Sequence, residues 1–382
     1  MINPKRIILS ALPLAALLAG CGGTGEDVVF GVAAPLEGAN GKSVLSAARM
    51  AAAEINAGGG IGGRNIVLIP KDDKHDEQRG LAVAHELRAD PSVLAVIGHV
   101  NSAVSMKAAP IYNMDEGEND SVPGEPVVQI SPASSAPTLT HAGPWTFRVT
   151  PTDLEFSPVL ARWARERLRS SRAAVLYAND EYGQGVASTF ANAFRRQGGT
   201  VISADPYLAA MTRDPGALDA YLTRAIRRDA DALVIGGQAD GAVAIITAAR
   251  RLGYRGPILG ADGVTGVKDA GPIGEGVYIS SSFLPDRDSE RARAFVAAYQ
   301  KLYGTLPDHR AAMTYDIMYM LKAAIESGAA DRLAIRRYLE GVTTEKPYEG
   351  ISGQIRFDKN GDVVEKPVSI GVVRGGRLVT AR

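Results

Sequence analysis

Twice along the chain, short apolar runs alternate with amphipathic segments in an order that leaves few ways to build a core. In the first series the runs lie at 28–33, 65–70, 94–97, 127–130 and 145–149. Between the first two, residues 43–56 carry Val44, Ala48, Ala51 and Ile55 at intervals of three and four, which predicts a helix with one apolar face. Residues 77–88 predict another. The series then restarts: a helix over 155–169, a strand at 173–178, a helix over 185–197 with Val186, Phe190 and Phe194 in register, then strands at 231–235 and 257–260. Strand–helix–strand order buries both faces of a sheet most simply when the strands run parallel, so the expected fold class is α/β, with two doubly wound units.

The strand ends carry the chemistry. Leu94 to Ser105 reads LAVIGHVNSAVS, an apolar run that gives way at Gly98 to hydroxyl residues and then to a segment able to be helical. A strand handing over to a helix leaves free backbone N–H groups at the helix start, and ligands of open α/β sheets bind at such ends. A second end of this kind, Ser131-Pro132-Ala133-Ser134-Ser135, follows the run at 127–130.

The first residues, MINPKRIILSALPLAALLAGCGG, place Lys5 and Arg6 before an apolar stretch that is short for a membrane span and ends in Leu18-Ala19-Gly20-Cys21. This resembles the signal peptide (1–20) and lipobox of a bacterial lipoprotein. The resemblance implies that Cys21, the single cysteine of the 382 residues, becomes the acylated mature N-terminus, with 21–26 as a short tether to a membrane. One thiol forms no internal disulfide, so the core must hold the fold. Without 1–20, Lys plus Arg falls from 42 to 40 against 42 Asp plus Glu, a formal charge of −2 that offers no basic surface for nucleic acid.

Catalytic and metal motifs fail on spacing. Asp72, Asp73, His75 and Asp76 share one short loop without a second ligand group; His85, His99, His141 and His309 show no paired spacing. Gly58–Gly63 lacks the Gly-Lys-Ser/Thr ending of a phosphate loop, and no GxSxG elbow occurs. No enzyme, metal or cofactor is expected.

Taken in order, GVAAPLEG, EINAGGGIGG, Asp72-Asp73, IGHVNSAVS, ISPASS, NDEYGQG, Gly236-Gly237, ILGADG and TYDIMYML resemble the leucine/isoleucine/valine-binding protein family, the type 1 periplasmic binding fold of amino-acid receptors for ABC importers. The resemblance implies two lobes joined by three crossovers and closing over a ligand, with 27–149 plus 280–345 as lobe 1 and 150–279 plus 346–382 as lobe 2. It also implies membrane subunits of an importer as partner and an extracytoplasmic location.

By position in the family, Ser102 would meet the ligand's carboxylate, Ala133 would offer its C=O to the ammonium, and Ser135, where the family usually has Thr, would supply hydroxyl and N–H, with Ser134 between them. From lobe 2, Tyr182 would pack against the ligand and Asp262 would pair with the ammonium. Gln238 departs from the family, whose branched-chain receptor has Tyr there, and so opens the question of a polar side chain. Tyr315 and Asp316 would be structural. Each residue also has an ordinary use: Ser102 could cap its own helix, Asp262 could close a turn with Gly263, and Tyr182 could be core. The alternatives are the same fold binding an amide, urea or an aromatic or organic acid, and a sensor for a signalling partner.

Overall fold

The computed structural model describes residues 26–115, 123–214 and 216–382. The expected signal segment, Cys21 and the centre of the acidic stretch 114–126 lie outside these residues.

The first lobe is a sheet of five parallel strands, β1 (Val28–Ala34), β2 (Ile66–Asp72), β3 (Val93–Gly98), β4 (Val128–Ser131) and β5 (Thr146–Arg148), in the order β2-β1-β3-β4-β5. Its helices are α1 (Ala39–Ala57), α2 (Glu77–Ala89) and α3 (Ser102–Asn113). Helix α1 starts four residues earlier than its apolar periodicity predicts. The reason is Gly41: a Cβ there would lie 2.1 Å from the Pro35 carbonyl oxygen, so glycine lets the first turn of the helix fold back on the loop.

The second lobe follows with α4 (Asp153–Glu166), β6 (Arg172–Ala178), α5 (Glu181–Arg196), β7 (Thr200–Tyr207), α6 (Asp219–Arg227), β8 (Ala232–Gly236), α7 (Ala239–Arg251), β9 (Ile258–Gly260) and β10 (Tyr278–Ser281). The chain then returns: α8 (Glu290–Tyr303), α9 (His309–Glu326) and α10 (Arg332–Glu340) pack on the first lobe, α9 along α1 and α10 against β3. Two hairpins end the chain, β11 (Tyr348–Gly350) with β12 (Gly353–Ile355), and β13 (Ser369–Arg374) with β14 (Arg377–Thr380). The second sheet runs β14-β13-β10-β9-β8-β6-β7, parallel except where β13 pairs with β10 and β14.

The tail forms two separate hairpins rather than one. The two hairpins separate because their apolar residues have different homes. Ile351, Ile355, Phe357 and Val363 enter the core of the first lobe, whereas Val373 and Leu378 enter that of the second. The boundary at 345/346 therefore moves; residues 346–363 belong with lobe 1.

The chain crosses between lobes at 149–152, 282–289 and 364–368, and buried polar groups tie these crossings together. Arg148, fully buried, donates Nε to Asp362 Oδ1 at 2.5 Å and its remaining nitrogens to the carbonyls of Ser134, Ala136 and Pro137. Arg287 donates to the Ser352 carbonyl at 3.2 Å, and Lys366 Nζ donates to Ser352 Oγ at 2.8 Å. Asp316 accepts from the amides of Ile351 and Ser352 at 2.6 and 3.0 Å, and burial pushes its pKa up. Burial also lowers Lys366 to about 8. The aspartates of the 72–76 loop have structural work: Asp72 holds the Leu36 amide, Asp73 pairs with buried His99 at 2.7 Å, and Asp76 caps α2 through the Arg79 amide.

Candidate functional site

Two strand ends of the first lobe meet at the cleft. Strand β3 stops at Gly98, where φ is +130° and a Cβ would stand 2.0 Å from the Ala33 carbonyl oxygen, so only glycine brings β3 this close to β1 as it turns. Helix α3 then begins at Ser102, with Asn101 in the N-cap position. Ser102 does not cap its own helix; its Oγ accepts from the Ala136 amide at 3.2 Å and so joins the two strand ends. Asn101 Oδ1 is buried without a hydrogen-bond partner.

At the second end, Ser131 Oγ donates to the His99 carbonyl at 2.7 Å and accepts from the amides of Ser134 and Ala133. Ser134 is spent in this framework: its Oγ meets Ser105 Oγ at 2.6 Å and the Val100 carbonyl at 3.1 Å. Ser135 is the opposite case, buried with its Oγ unpartnered, and Ala133 is buried beside it. Of the neighbours expected to act together, Ser135 has a free hydroxyl and Ser134 has none.

The second lobe brings Tyr182 and Asp262 into contact. Tyr182 stands in the first turn of α5, which Asp180 caps through the Gly183 amide at 2.7 Å. Its hydroxyl donates to Asp262 Oδ1 at 2.9 Å and accepts from the Gly263 amide at 2.7 Å. Gly263 permits this approach, since a Cβ would lie 2.5 Å from the Tyr182 hydroxyl. Burial pushes the Tyr182 phenol well above its ordinary range, and the charge of Asp262 pushes the same way. Gln238, in the N-cap position of α7, accepts from Asn40 Nδ2 of the first lobe at 3.1 Å, a direct bond across the cleft. A groove of about 350 Å³ lined by Pro35, Asn40, Asp72 and Gln238 opens beside it.

Three residues that sequence reasoning missed complete the site. Asp153, the first residue of α4, is fully buried and neither carboxyl oxygen has a hydrogen-bond partner. Its Oδ2 faces Gly185 of α5, where a Cβ would stand 2.4 Å away. Burial, then the charge of Asp262, push its pKa well up. His309, at the start of α9, places Nε2 3.4 Å from Asp262 Oδ2. Burial alone would raise Asp262, but His309, then Arg310 and the Tyr182 hydroxyl, outweigh it and leave Asp262 below the usual carboxylate range. The third is Arg310. Two neighbouring acids thus differ in state, Asp262 ionised and Asp153 inclined to hold its proton. Asp153 was hidden by its position: Thr152 and Glu155 form a capping box, and an acid at a helix start is ordinary. His309 shows no motif, and only the folded chain brings it to Asp262.

Two lobes joined by three crossings, with unpartnered polar groups buried between them and, among the described residues, no strand continuous across the gap, have the architecture of a receptor able to close over a ligand. A family model described as periplasmic binding protein matches residues 28–377. The chain belongs to that family, with the type 1 fold of the Leu/Ile/Val-binding proteins; it is accordingly a solute-binding protein rather than an enzyme, acting outside the cytoplasm. It is 27% identical to the Leu/Ile/Val-binding protein homolog 1 of Brucella abortus (strain 2308) over 364 residues, 94% of this chain and 93% of that one. Among solved structures it is similar to an ABC transporter substrate-binding protein of Desulfitobacterium hafniense in complex with Leu, at 29% identity and TM-score 0.78, covering 94% of this chain and 100% of the other. It is also similar to a leucine binding protein of Thermotoga maritima, at 27% identity and TM-score 0.81, covering 93% and 98%.

Proposed function

We propose that the protein captures an α-amino acid between its lobes and delivers it to the membrane subunits of an ABC importer, held at the membrane by lipid on Cys21. The observation that carries the reading is the pairing of opposites in one cleft. An ionised Asp262 and the start of α3 meet at the cleft, with Asp153 and the Ser135 hydroxyl side by side there, the Asp153 amide donating to the Ser135 carbonyl at 2.9 Å. A zwitterion needs both: amides at a helix start and hydroxyls for its carboxylate, acids and a carbonyl for its ammonium.

In this reading Ser102 and Ser135 receive the carboxylate, and the Ala133 carbonyl, Asp262 and Asp153 surround the ammonium. Tyr182 packs over the ligand while it orients Asp262, Gln238 forms part of the side-chain wall, and Ser134 holds the framework. The relatives named for leucine or for Leu, Ile and Val support an amino acid as ligand, and the substrate-binding protein of an ABC transporter supports an importer as partner.

The direct test is thermal unfolding of protein refolded free of carried-over ligand, with each of the twenty amino acids added. A ligand that binds only the native state raises the melting temperature, by RT ln(1 + [L]/Kd) in free energy. No rise with any of the twenty overturns the assignment.

Proton linkage adds a second expectation. Asp153 carries a raised pKa in the free protein, and an ammonium beside it lowers that value. Between the two values the free protein binds more protons than the complex, so binding releases a proton. Affinity rises with pH by up to about tenfold per unit across that window and levels off above the raised value. Calorimetry in two buffers of different ionisation heat measures the release; Asp153→Asn should abolish it, and proton uptake in its place would contradict the placement of the ammonium.

A further inference from the structure

The second lobe gathers positive charge at the end of its sheet that faces away from the cleft. Strands β6, β7, β8 and β9 start side by side there, since Arg172 is opposite Thr200, Ala173 opposite Ala232 and Leu233 opposite Ile258. The helix ends and connections that lead to these starts, 162–172, 195–200, 224–232 and 250–258, hold thirteen arginines against three acids. Two further acids, Asp205 and Asp219, reach in to pair with Arg224 and Arg251. The surplus is accessible: Arg195, Arg196, Arg227 and Arg228 are exposed and form no ion pair among the described residues, and Arg224, Arg227 and Arg228 line a groove of about 450 Å³.

A basic residue in the last turn of a helix is ordinary, because it complements the helix dipole. The fold does not require it, since α1, α3 and α9 on the first lobe end without one. At the far end of the first lobe, where β1 starts, a groove of about 550 Å³ is lined by Glu26, Asp27, Glu125 and Asp331; of its cations, Arg64 is half-buried, and Arg88 and Arg332 are buried against backbone carbonyls. The molecule is basic at one end and acidic at the other. The expectation of no basic surface, drawn from a nearly balanced formal charge, therefore fails, because the balancing acids lie elsewhere in the fold.

We propose, resting on the membrane-anchored reading above, that the arginine end of the second lobe docks on the anionic headgroups of a phospholipid bilayer. Cys21 lies five positions before Glu26, so a lipid there holds only the first lobe, by its acidic end. An anionic bilayer repels that end and attracts the other, and a lipid signal combined with a polybasic patch anchors more firmly than one acyl chain alone. With both ends held, the lobes stand side by side on the bilayer, and the mouth of the cleft comes within reach of subunits embedded in it. A protein acting outside the cytoplasm meets lipid headgroups rather than nucleic acid.

The test is co-sedimentation of the chain from Gly22 to Arg382, which holds both lobes and carries no lipid, with vesicles of phosphatidylcholine alone or with about 30% phosphatidylglycerol. Binding to the anionic vesicles should be at least about tenfold stronger than to the neutral ones, and should fall by about tenfold or more in about 0.5 M salt. Combining Arg195→Glu, Arg196→Glu, Arg227→Glu and Arg228→Glu should lower it by at least about tenfold, while the rise in melting temperature with an amino acid stays as in the parent. Should that variant fail to fold, Arg227→Gln with Arg228→Gln is expected to lower it by a smaller factor. Equal binding to both vesicles, no binding to the anionic ones, or tighter binding of a DNA duplex than of the vesicles overturns the inference. Full-length protein absent from the membrane fraction of cells overturns the anchor reading; full-length protein present there while the lipid-free chain ignores anionic vesicles overturns the inference alone.

Discussion

Replacing Asp262 by asparagine is expected to weaken ligand binding by about a hundredfold, ~3 kcal/mol, and to lower the melting temperature of the free protein as well, since the charge that His309 and Arg310 favour is lost. Asparagine keeps the shape and can still accept from the Tyr182 hydroxyl, which stands 2.9 Å from Oδ1 in the native protein. What it removes is the charge. A ligand ammonium desolvated in the closed cleft would lose its strongest counter-ion, and Asp153 alone would have to ionise against burial to replace it. The variant also separates ligand classes. A carboxylic acid without an ammonium has no use for Asp262 and should bind the variant at least as well as the parent. Unchanged or tighter binding in Asp262→Asn, measured by titration, would therefore remove the ammonium from the cleft.

The second large effect concerns the strand end itself. Gly98→Ala should destabilise the protein by about 3 kcal/mol or more, because a methyl group would overlap the Ala33 carbonyl oxygen at a backbone angle that L-residues rarely adopt. Strands β1 and β3 pair there, Ala33 opposite Gly98, so the overlap can be relieved only by parting the centre of the first sheet. The denaturant midpoint of the first lobe should fall, and ligand affinity with it, since Asn101 and Ser102 hang from the displaced end. An alanine variant with native stability would show that the turn after β3 has room to move.

Much of the architecture was legible because parallel strands buried on both faces leave continuous apolar runs, and because glycine and serine mark where each run ends. The runs at 28–33 and 94–97 became the strand and its neighbour at the centre of the first sheet, and the hydroxyl-rich ends became the cleft wall. The tail was less legible. Its two hairpins have similar local patterns, and only the cores that receive Ile355 and Leu378 tell them apart. In the site, Tyr182 and Asp262 are in contact, and what the family positions imply for them and for Ser135 toward a ligand remains the proposal made above. Asp153, His309 and Arg310 were not legible, because nothing local distinguishes them. An acid, a histidine and an arginine at helix starts are common, and their meaning comes from being shut between lobes far apart in sequence. Gln238 drew notice as a departure from the family, but its partner Asn40 lies 198 positions away.

The buried Arg148 has a mechanical consequence. Its guanidinium grips the carbonyls of Ser134, Ala136 and Pro137, which flank Ser135, and at the same time the Asp362 carboxylate beside the third crossing. The loop that would seat the ligand and the fulcrum on which the lobes turn are thus clamped as a single rigid piece. A load placed on Ser135 would reach the fulcrum through one side chain at the end of the edge strand β5. Such a receptor would register its cargo at the pivot as well as in the jaws.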